Sequence, residues 1–304
     1  MKKFLVGTLL LAFLGACSSG EVKVSKSEKI ESLREYGESS NVVAPKRKIA
    51  ISSFNNNSPL AQTRKIGEGL ADIMATELTR TGRFIVLERD AIDKVMQEVN
   101  FSMVLGEGKI AEQQQLQDAD FIVTGAITQY SVNTVGKKGL TSTKKEQTAE
   151  VMFDMRVIDL KTGRILFADS GEGRGTRETG TSFGMGTTGG YDEGIESTAL
   201  RAAAIFAVTN IVNQVDKTPW TASVVKVAGE EIYINAGSLS NLPIGTKLDV
   251  YRQGEAIMHE GQLLGYDEKK VGTAVVERYL GDDAAICSYD GGHFSGRGLV
   301  RIGK

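Results

Sequence analysis

A run of apolar residues near the middle of the chain, Phe121-Ile122-Val123, constrains the fold more than any other feature. A continuous apolar run is typical of a strand that is buried on both faces of a sheet. Ile127 then begins an alternation typical of a strand that reaches toward solvent, so residues 118–130 form the predicted central strand. Gly125 interrupts this strand. An isolated glycine in a strand indicates a bulge or a close backbone approach, and we therefore expect a bend there.

Two further strands follow the central strand and predict an antiparallel meander. The chain returns as residues 151–160, turns at Lys161-Thr162-Gly163 and goes out again as residues 164–169. Two long polar excursions extend beyond these strands, over residues 133–150 and residues 170–191. The function of the chain depends on what these excursions do.

Strands and helices alternate before the central strand. Residues 48–54 predict a first strand, and a first helix follows that stops at Gly82. Residues 84–88 predict a second strand, and Asp90 caps a second helix. After the meander, residues 192–215 predict a long helix. The order predicts an α+β fold in which a mixed β-sheet is flanked by helices. Apolar residues at helical spacing carry these helix predictions: Ile66, Leu70, Ile73, Met74 and Leu78 in the first helix, Ile92, Val95, Met96 and Val99 in the second, and Ile195, Ala199, Ala202, Phe206 and Val212 in the long helix.

The C-terminal part of the chain changes to short strands separated by glycine-containing turns. Strands at this spacing predict a small all-β barrel. We expect Trp220 to form a hydrophobic lid on this barrel, with a ligand-stacking aromatic as the weaker alternative. The predicted strands are residues 221–227, 231–235, 247–251, 270–279, 284–288 and 299–302.

The N-terminus has the pattern of a lipoprotein signal peptide. Residues 2–13 give a positive start and an apolar run, and Leu14-Gly15-Ala16 forms a cleavage site before Cys17. An ordinary signal peptide with a chance cysteine and a transmembrane anchor are the weaker alternatives, since the run is short for a bilayer about 30 Å thick. By resemblance to bacterial lipoproteins, Cys17 is acylated after cleavage, and the two serines that follow it fit sorting to the outer membrane.

These segments predict four regions in order along the chain. They are a signal peptide over residues 1–16, the lipidated Cys17 with a flexible tether over residues 17–45, an α+β domain over residues 46–216 and a small β-barrel over residues 217–304. The basic Lys46-Arg47-Lys48 is interpreted as a solvated edge. At 304 residues with a net charge of -2, the chain can bury two cores and has no overall basic field that would recruit nucleic acid.

No catalytic, cofactor or metal site is predicted. The segment 184–189 matches a dinucleotide-binding fingerprint, but no ribose-binding acid follows it at the expected distance and the glycines are not placed directly between a buried strand and a helix, so a flexible loop is expected. Other reactive side chains have ordinary structural interpretations: His259 and His293 lack metal-site spacing, Cys287 is a small core residue, and Glu88, Arg89 and Asp90 are a strand end, an exposed charge and a helix cap. We therefore expect no enzyme and no cofactor.

Three segments in order resemble the CsgG family, the curli production assembly/transport lipoproteins. They are residues 82–89, 119–127 and 155–166, which lie behind the lipoprotein signal. The resemblance covers about residues 46–215 and implies a periplasmic α+β domain anchored at the outer membrane. In the family's secretion channel the subunits form a ring, and each subunit lends two β-hairpins, at the positions of the two excursions, to one transmembrane barrel. Residues 232–237, 242–246, 248–251 and 272–276 resemble the C-terminal SH3-like domain of the flagellar assembly protein FlgT, which implies a protein-binding or structural module.

The excursions lack the pattern of a membrane-spanning hairpin. A lipid-facing strand needs about 9 to 11 residues with alternate positions apolar. The first excursion instead contains Lys137, Lys138, Lys144 and Lys145, and a lysine that faces lipid at mid-bilayer costs about 2 to 4 kcal/mol. The second excursion is rich in glycine and threonine and contains Arg174 and Arg177, with Phe183, Met185 and Tyr191 sharing a face. The sequence therefore supports the domain more strongly than the pore.

Two functions remain open at this point. The first is a CsgG-type outer-membrane lipoprotein, forming a ring of identical subunits, that takes part in the secretion or assembly of a surface fibre. The second is a periplasmic scaffold or binding lipoprotein without a pore, which supports an envelope machine or activates a cell-wall enzyme. In both, the partners are the membrane, through the lipid anchor, and other envelope proteins.

Overall fold

Two β-sheets, each with its own hydrophobic core, make up the described part of the chain. The computed structural model describes residues 22–24, 44–87, 119–140, 142–160, 163–182, 185–186, 194–259 and 262–303. The first sheet is mixed and carries the helices, and the second is a separate antiparallel barrel. This arrangement confirms the predicted α+β fold class.

The mixed sheet has the strand order β1-β7-β6-β5-β2-β4. Strand β2 lies parallel to β4 and β5, whereas β5, β6 and β7 form the predicted antiparallel meander. Two short strands are attached at the side, β3 on β5 and β8 on β7. The strands are β1 (Val22–Val24), β2 (Arg47–Ile51), β3 (Asn55–Asn56), β4 (Phe84–Leu87), β5 (Phe121–Lys138), β6 (Ser142–Asp159), β7 (Ile165–Ser182) and β8 (Met185–Gly186).

The apolar run at the start of β5 is buried on both faces of the sheet, as predicted. Phe121 and Val123 belong to the main core under the helices, and Ile122 belongs to a small cluster on the opposite face. Gly125 is a point of close approach, since a Cβ there would lie 2.3 Å from the Asp154 carbonyl oxygen. The bulge itself lies further along, where the register with β6 shifts between Ile127 and Gln129.

Much of the two polar excursions is strand. Strands β5 and β6 stay paired from Phe121–Asp159 to Lys138–Thr143, and β7 stays paired with β6 as far as Ser182. The sequence pattern ended too early because the apolar positions on the inner face of β6 end at Ala149, whereas the backbone ladder continues to Ser142 with polar side chains such as the buried Gln147. We call the outer part of this three-stranded meander, residues 131–150 with residues 172–182, the arm.

Three helices are described, and they pack on the inner face of the mixed sheet. They are α1 (Pro59–Arg64), α2 (Ile66–Arg80) and α3 (Gly194–Val215). Helix α2 buries Ile66, Leu70, Met74 and Leu78 as predicted, and Gly82 follows its end with a φ of 67°. The helix predicted after Asp90 lies outside the described residues.

Helix α3 is apolar on nearly all sides because it lies between the sheet and α2. Its length and composition would also allow it to cross a membrane, but a buried core helix of a soluble protein can have the same length and composition. Leu200 contacts α2 at Gly69, and Ala199 and Ala203 face β7 on the other side. The burial of both sides is typical of a core helix.

Glycines on β7 allow α3 to approach the sheet closely. Gly171, Gly173 and Gly175 alternate along the inner face of the strand and are buried. A Cβ at Gly173 would lie 2.0 Å from the Ala199 carbonyl oxygen, and one at Gly175 would lie 2.1 Å from the carbonyl oxygen of Ile195. The helix backbone therefore rests directly on the strand.

The C-terminal sheet closes into a barrel with the strand order β10-β13-β12-β11-β14-β9. All six predicted strands are present, and the hairpin of β11 and β12 is much longer than predicted. Trp220 and Cys287 both belong to the barrel core. The strands are β9 (Thr221–Ala228), β10 (Glu231–Ile234), β11 (Lys247–His259), β12 (Gln262–Tyr279), β13 (Ala285–Tyr289) and β14 (Gly298–Ile302), with a short 3₁₀ helix at Ser238–Ser240.

Candidate functional site

Several residues singled out in the sequence lie outside the described part of the chain. They include the predicted lipidation site Cys17, the charged residues Glu88, Arg89 and Asp90, and most of the glycine-rich segment 184–189. Two residues of that segment, Met185 and Gly186, pair with the end of β7. The described residues contain no group of three His, Cys, Asp or Glu side chains that could hold a metal ion.

The basic triplet Lys46-Arg47-Lys48 is a contact between the sheet and the barrel. Its interpretation as a solvated edge was wrong, because Lys48 is only 6% exposed and Arg47 is half-buried. The Lys48 ammonium lies 3.3 Å from the carboxylate of Asp283, on the barrel side. These cations are buried by residues that are far away in the sequence. The local pattern of charges therefore could not predict their burial.

Arg47 fastens the segment that leads from α3 into the barrel. Its Nη1 donates to Thr218 Oγ1 at 3.0 Å and to the Pro219 carbonyl oxygen at 3.2 Å, and its Nη2 donates to the Thr218 carbonyl oxygen. A cation is favourable here because hydrogen bonds from an ionised donor are stronger than those between neutral groups. Burial lowers the pKa of the Arg47 guanidinium, while the charges of Asp120 and Asp216 raise it.

Three further contacts hold the same junction. Arg83 Nη2 lies 2.6 Å from Asp216 Oδ1, immediately after α3. The Lys46 amide donates to the Ser240 carbonyl oxygen at 2.8 Å, and the Trp220 indole donates to the Lys46 carbonyl oxygen at 3.3 Å. The connection between sheet and barrel is thus held by side chains of both, which fixes the barrel relative to the sheet. Trp220 belongs to the barrel core, and its indole in addition reaches across to Lys46, immediately before β2.

A cleft of about 440 Å³ lies at this junction. Its volume is within the range of about 300 to 1,000 Å³ that is typical of ligand pockets. Apolar side chains form most of its walls, and the cations that border it already donate to Thr218, Pro219 and Asp216. The cleft is therefore suited to an apolar group. Its lining residues are Ala44, Pro45, Arg47, Arg83, Phe84, Val215, Asp216, Thr218, Trp220, Leu242, Pro243, Thr246 and Ile302.

Cys287 is enclosed in the barrel core. Burial raises the pKa of its thiol to about 12, so it is a thiol and not a thiolate at neutral pH. It pairs in register with Ile232 on β10 and with Val276 on β12. A protonated, enclosed thiol is a packing residue, which agrees with its interpretation from the sequence.

The alternating glycines of β7 were the signal that the sequence interpretation missed. Gly171, Gly173 and Gly175 recur at every second residue, which is the period of one strand face. Alanines are frequent on α3, and two of them, Ala199 and Ala203, face these glycines. A strand face without side chains followed by an alanine-rich helix predicts close helix-on-sheet packing, and this pair of patterns could have extended the strand prediction into the second excursion.

A family comparison covers most of the mixed sheet, its helices and the start of the barrel. Residues 30–241 match the model of the family described as "Curli production assembly/transport component CsgG". The chain belongs to the CsgG family. The match extends beyond the mixed sheet to the 3₁₀ helix Ser238–Ser240, whose last carbonyl accepts the hydrogen bond from Lys46.

A relative with a similar sequence supports the same assignment of this CsgG family member. It is a candidate lipoprotein of Neisseria meningitidis serogroup B, NMB1126/NMB1164, which is 26% identical over 229 residues. The alignment covers 72% of this chain and 98% of the relative. The family and this relative are therefore of the CsgG-like lipoprotein type.

Two solved structures are similar to this CsgG family member at low scores. The protein CT253 of Chlamydia trachomatis is 13% identical with a TM-score of 0.31, and the alignment covers 56% of this chain and 96% of that one. Lipoprotein GNA1162 of Neisseria meningitidis is 13% identical with a TM-score of 0.26, over 57% of this chain and 99% of that one. Scores of this size carry no argument about function.

Proposed function

We propose that this protein is a non-enzymatic, outer-membrane-anchored lipoprotein of the CsgG type that takes part in the secretion or assembly of surface fibres. The single observation that carries the proposal is the family match over residues 30–241. The proposal includes removal of residues 1–16, acylation of Cys17, a tether over residues 17–45 that is fixed to the sheet where β1 pairs with β7, and self-association of the chain into a ring on the periplasmic side of the membrane.

The proposal also assigns the chain to two domains with different roles. We assign the α+β domain to residues 46–216 and an SH3-like module, similar to that of FlgT, to residues 217–304. The hydrogen bonds of Arg47 and Trp220 at the junction support a module that has one fixed orientation relative to the sheet. A barrel held in this way presents its loops to envelope or fibre proteins at a fixed angle to the sheet.

The anchor and the assembly are tested on the protein expressed with its own N-terminus. We expect mass spectrometry to show a mature chain that starts at an acylated Cys17, and we expect the protein to incorporate palmitate. Cys17→Ala should abolish both the cleavage and the acylation. In detergent, we expect a ring of identical subunits by electron microscopy. A monomeric particle, together with a deletion strain whose surface appendages are unchanged, would contradict the role in fibre assembly.

The second candidate function, a scaffold lipoprotein without a pore, is favoured by the composition of the arm. The outer ends of β5 and β6 carry Lys137, Lys138, Lys144 and Lys145, and the exposed apolar residues there are Val135 and Leu140. These strands lack an alternating apolar face that could contact lipid. Planar-bilayer recordings distinguish the two functions, because a pore-forming ring gives a steady current and a scaffold gives none.

A further inference from the structure

We propose that the tip of the β5–β6 hairpin, residues 136–140 and 142–145, binds the surface of a membrane that contains anionic phospholipids. The hairpin tip carries two pairs of lysines, one on each side of an exposed leucine, Leu140. The inference rests on the proposed lipid anchor at Cys17, since the anchor determines which end of the protein faces the membrane. It concerns binding at the membrane surface and requires no strand to cross the bilayer.

The lysines are brought together by the register of the hairpin. Lys137 lies directly opposite Lys144, and Lys145 lies opposite Gly136 on the other face of the ladder. Like charges directly opposite each other destabilise a strand pair. Lys137, Lys138 and Lys144 are exposed, so all three ammonium groups are accessible to an anionic surface.

Acidic side chains next to the hairpin tip do not cancel this charge. Glu146 and Glu178 lie opposite each other just behind it, and Arg177 follows on β7 at the next position. The four lysines with Arg177 thus outnumber the carboxylates among the described residues at this end of the arm. The whole chain has a net charge of -2, so the tip is a local cationic patch and not part of a generally basic protein.

Leu140 makes the hairpin tip more than a charged surface. Its side chain is 105% exposed relative to the reference state, at the turn that the hydrogen bond from the Gly139 amide to the Ser142 carbonyl oxygen closes at 2.6 Å. At a membrane surface, an apolar side chain enters the boundary of the acyl chains while neighbouring lysines reach the phosphates. A leucine with lysines on both sides matches this boundary between the headgroups and the acyl chains.

The pairing of β1 puts its N-terminal end, which follows the proposed lipid anchor in the sequence, at the same end of the protein as the hairpin tip. Strand β7 runs toward the hairpin tip and ends at Ser182, opposite Ser142. Strand β1 is antiparallel to β7, with Val22 opposite Arg177 and Val24 opposite Gly175, so the N-terminal end of β1 faces the tip. Cys17 precedes Val22 by five residues, which span at most about 18 Å. An acylated Cys17 therefore holds the membrane close to the lysines.

The experiment uses the full lipidated chain with Ser142→Cys, labelled with a fluorophore that reports the polarity of its surroundings. Acylation blocks Cys17 and burial blocks Cys287, so the label enters at position 142.

We expect the protein to float with vesicles of phosphatidylcholine alone, and the emission to shift to shorter wavelength when about a third of the lipid is phosphatidylglycerol. The double variant Lys137→Gln/Lys144→Gln should lower the docking equilibrium constant about 25-fold, since each lysine near an anionic surface contributes about fivefold. Leu140→Ser should lower it about tenfold.

Matched controls separate the hairpin tip from the rest of the surface. Lys217→Gln/Lys247→Gln removes the same charge from two exposed positions away from the arm and should leave the shift unchanged. A label at Ile165→Cys, at the opposite end of β7, should show no shift. A shift that is equal with neutral and anionic vesicles, or that survives loss of Lys137 and Lys144, overturns the inference.

Two other outcomes identify which assumption failed. A chain that does not float with neutral vesicles contradicts the lipid anchor, and the inference falls with it. A chain that floats, but whose label is quenched only by a soluble quencher trapped inside the vesicles, has a hairpin that crosses the bilayer. That result overturns surface binding and leaves the anchor and the family role intact.

Discussion

Replacement of Gly173 by alanine tests whether α3 rests directly on β7. The added Cβ would lie 2.0 Å from the Ala199 carbonyl oxygen, 2.5 Å from the Ala203 amide nitrogen and 2.8 Å from the Ala203 Cβ. Ordinary contacts of a Cβ begin at 3.4 Å. Two of the three atoms belong to the helix backbone and cannot rotate away, so the helix must move off the sheet or the strand must bend.

The expected loss of stability follows from these distances. Overpacking of a core costs about 1 to 3 kcal/mol, and a backbone-to-backbone clash belongs at the upper end of this range. Because alanine has fewer conformations than glycine in the unfolded chain, the substitution also offsets about 0.4 to 1 kcal/mol of this cost. We therefore expect Gly173→Ala to lower the free energy of unfolding by about 2 kcal/mol and the Tm by about 4 to 8 °C.

Urea and thermal denaturation followed by far-UV circular dichroism measure this change. Gly136→Ala is the matched control, because Gly136 also lies within a paired strand and a Cβ there would have no atom within 4 Å. This control should be unchanged or up to about 1 kcal/mol more stable. If Gly173→Ala were as stable as Gly136→Ala, the close contact of α3 with the sheet would be refuted.

Three further predictions concern the junction, the barrel core and the end of α2. Arg47→Ala should destabilise the protein by about 1.5 to 3 kcal/mol and increase iodide quenching of Trp220, the single tryptophan, whereas Arg156→Ala, on an exposed position of β6, should do neither. Cys287 should react with a thiol reagent only on unfolding. Because its pKa is raised from 9.0 to about 12, its contribution to stability is complete below pH 9 and is lost as the pH rises toward 12; a pH profile identical to that of Cys287→Ala would contradict this. Gly82→Ala should cost about 1 kcal/mol through its φ of 67° alone, since no atom would contact the new Cβ; an unchanged urea midpoint would show that the helix ends in another way.

The sequence predicted the elements whose side chains alternate between core and solvent. Helix α2 has apolar residues at helical spacing and a glycine at its stop, and the structure agrees with both. The start of β5 is apolar at each of three successive positions because the sheet is covered on both faces there. The six strands of the barrel were found for the same reason, since their inward positions fill one core.

Patterns of side chains gave no information where backbone contacts decide the structure. The arm consists of polar strands held by a continuous ladder of hydrogen bonds, so its strands were not recognised beyond the last inward apolar residue. The junction depends on Arg47 and Lys48 meeting partners such as Thr218 and Asp283, far along the chain. A cation that will be buried has the same local sequence as one that stays in solvent.

By itself the sequence determined the fold class, the family resemblance and the lipid-anchor hypothesis, because each depends on residues that are neighbours along the chain. Only the tertiary structure decided that α3 packs against bare glycines, that the barrel is fastened to the sheet, and that the lysine-rich hairpin tip and the N-terminal strand lie at one end of the arm. These features arise from contacts between distant segments. Such contacts form only when the whole chain has folded.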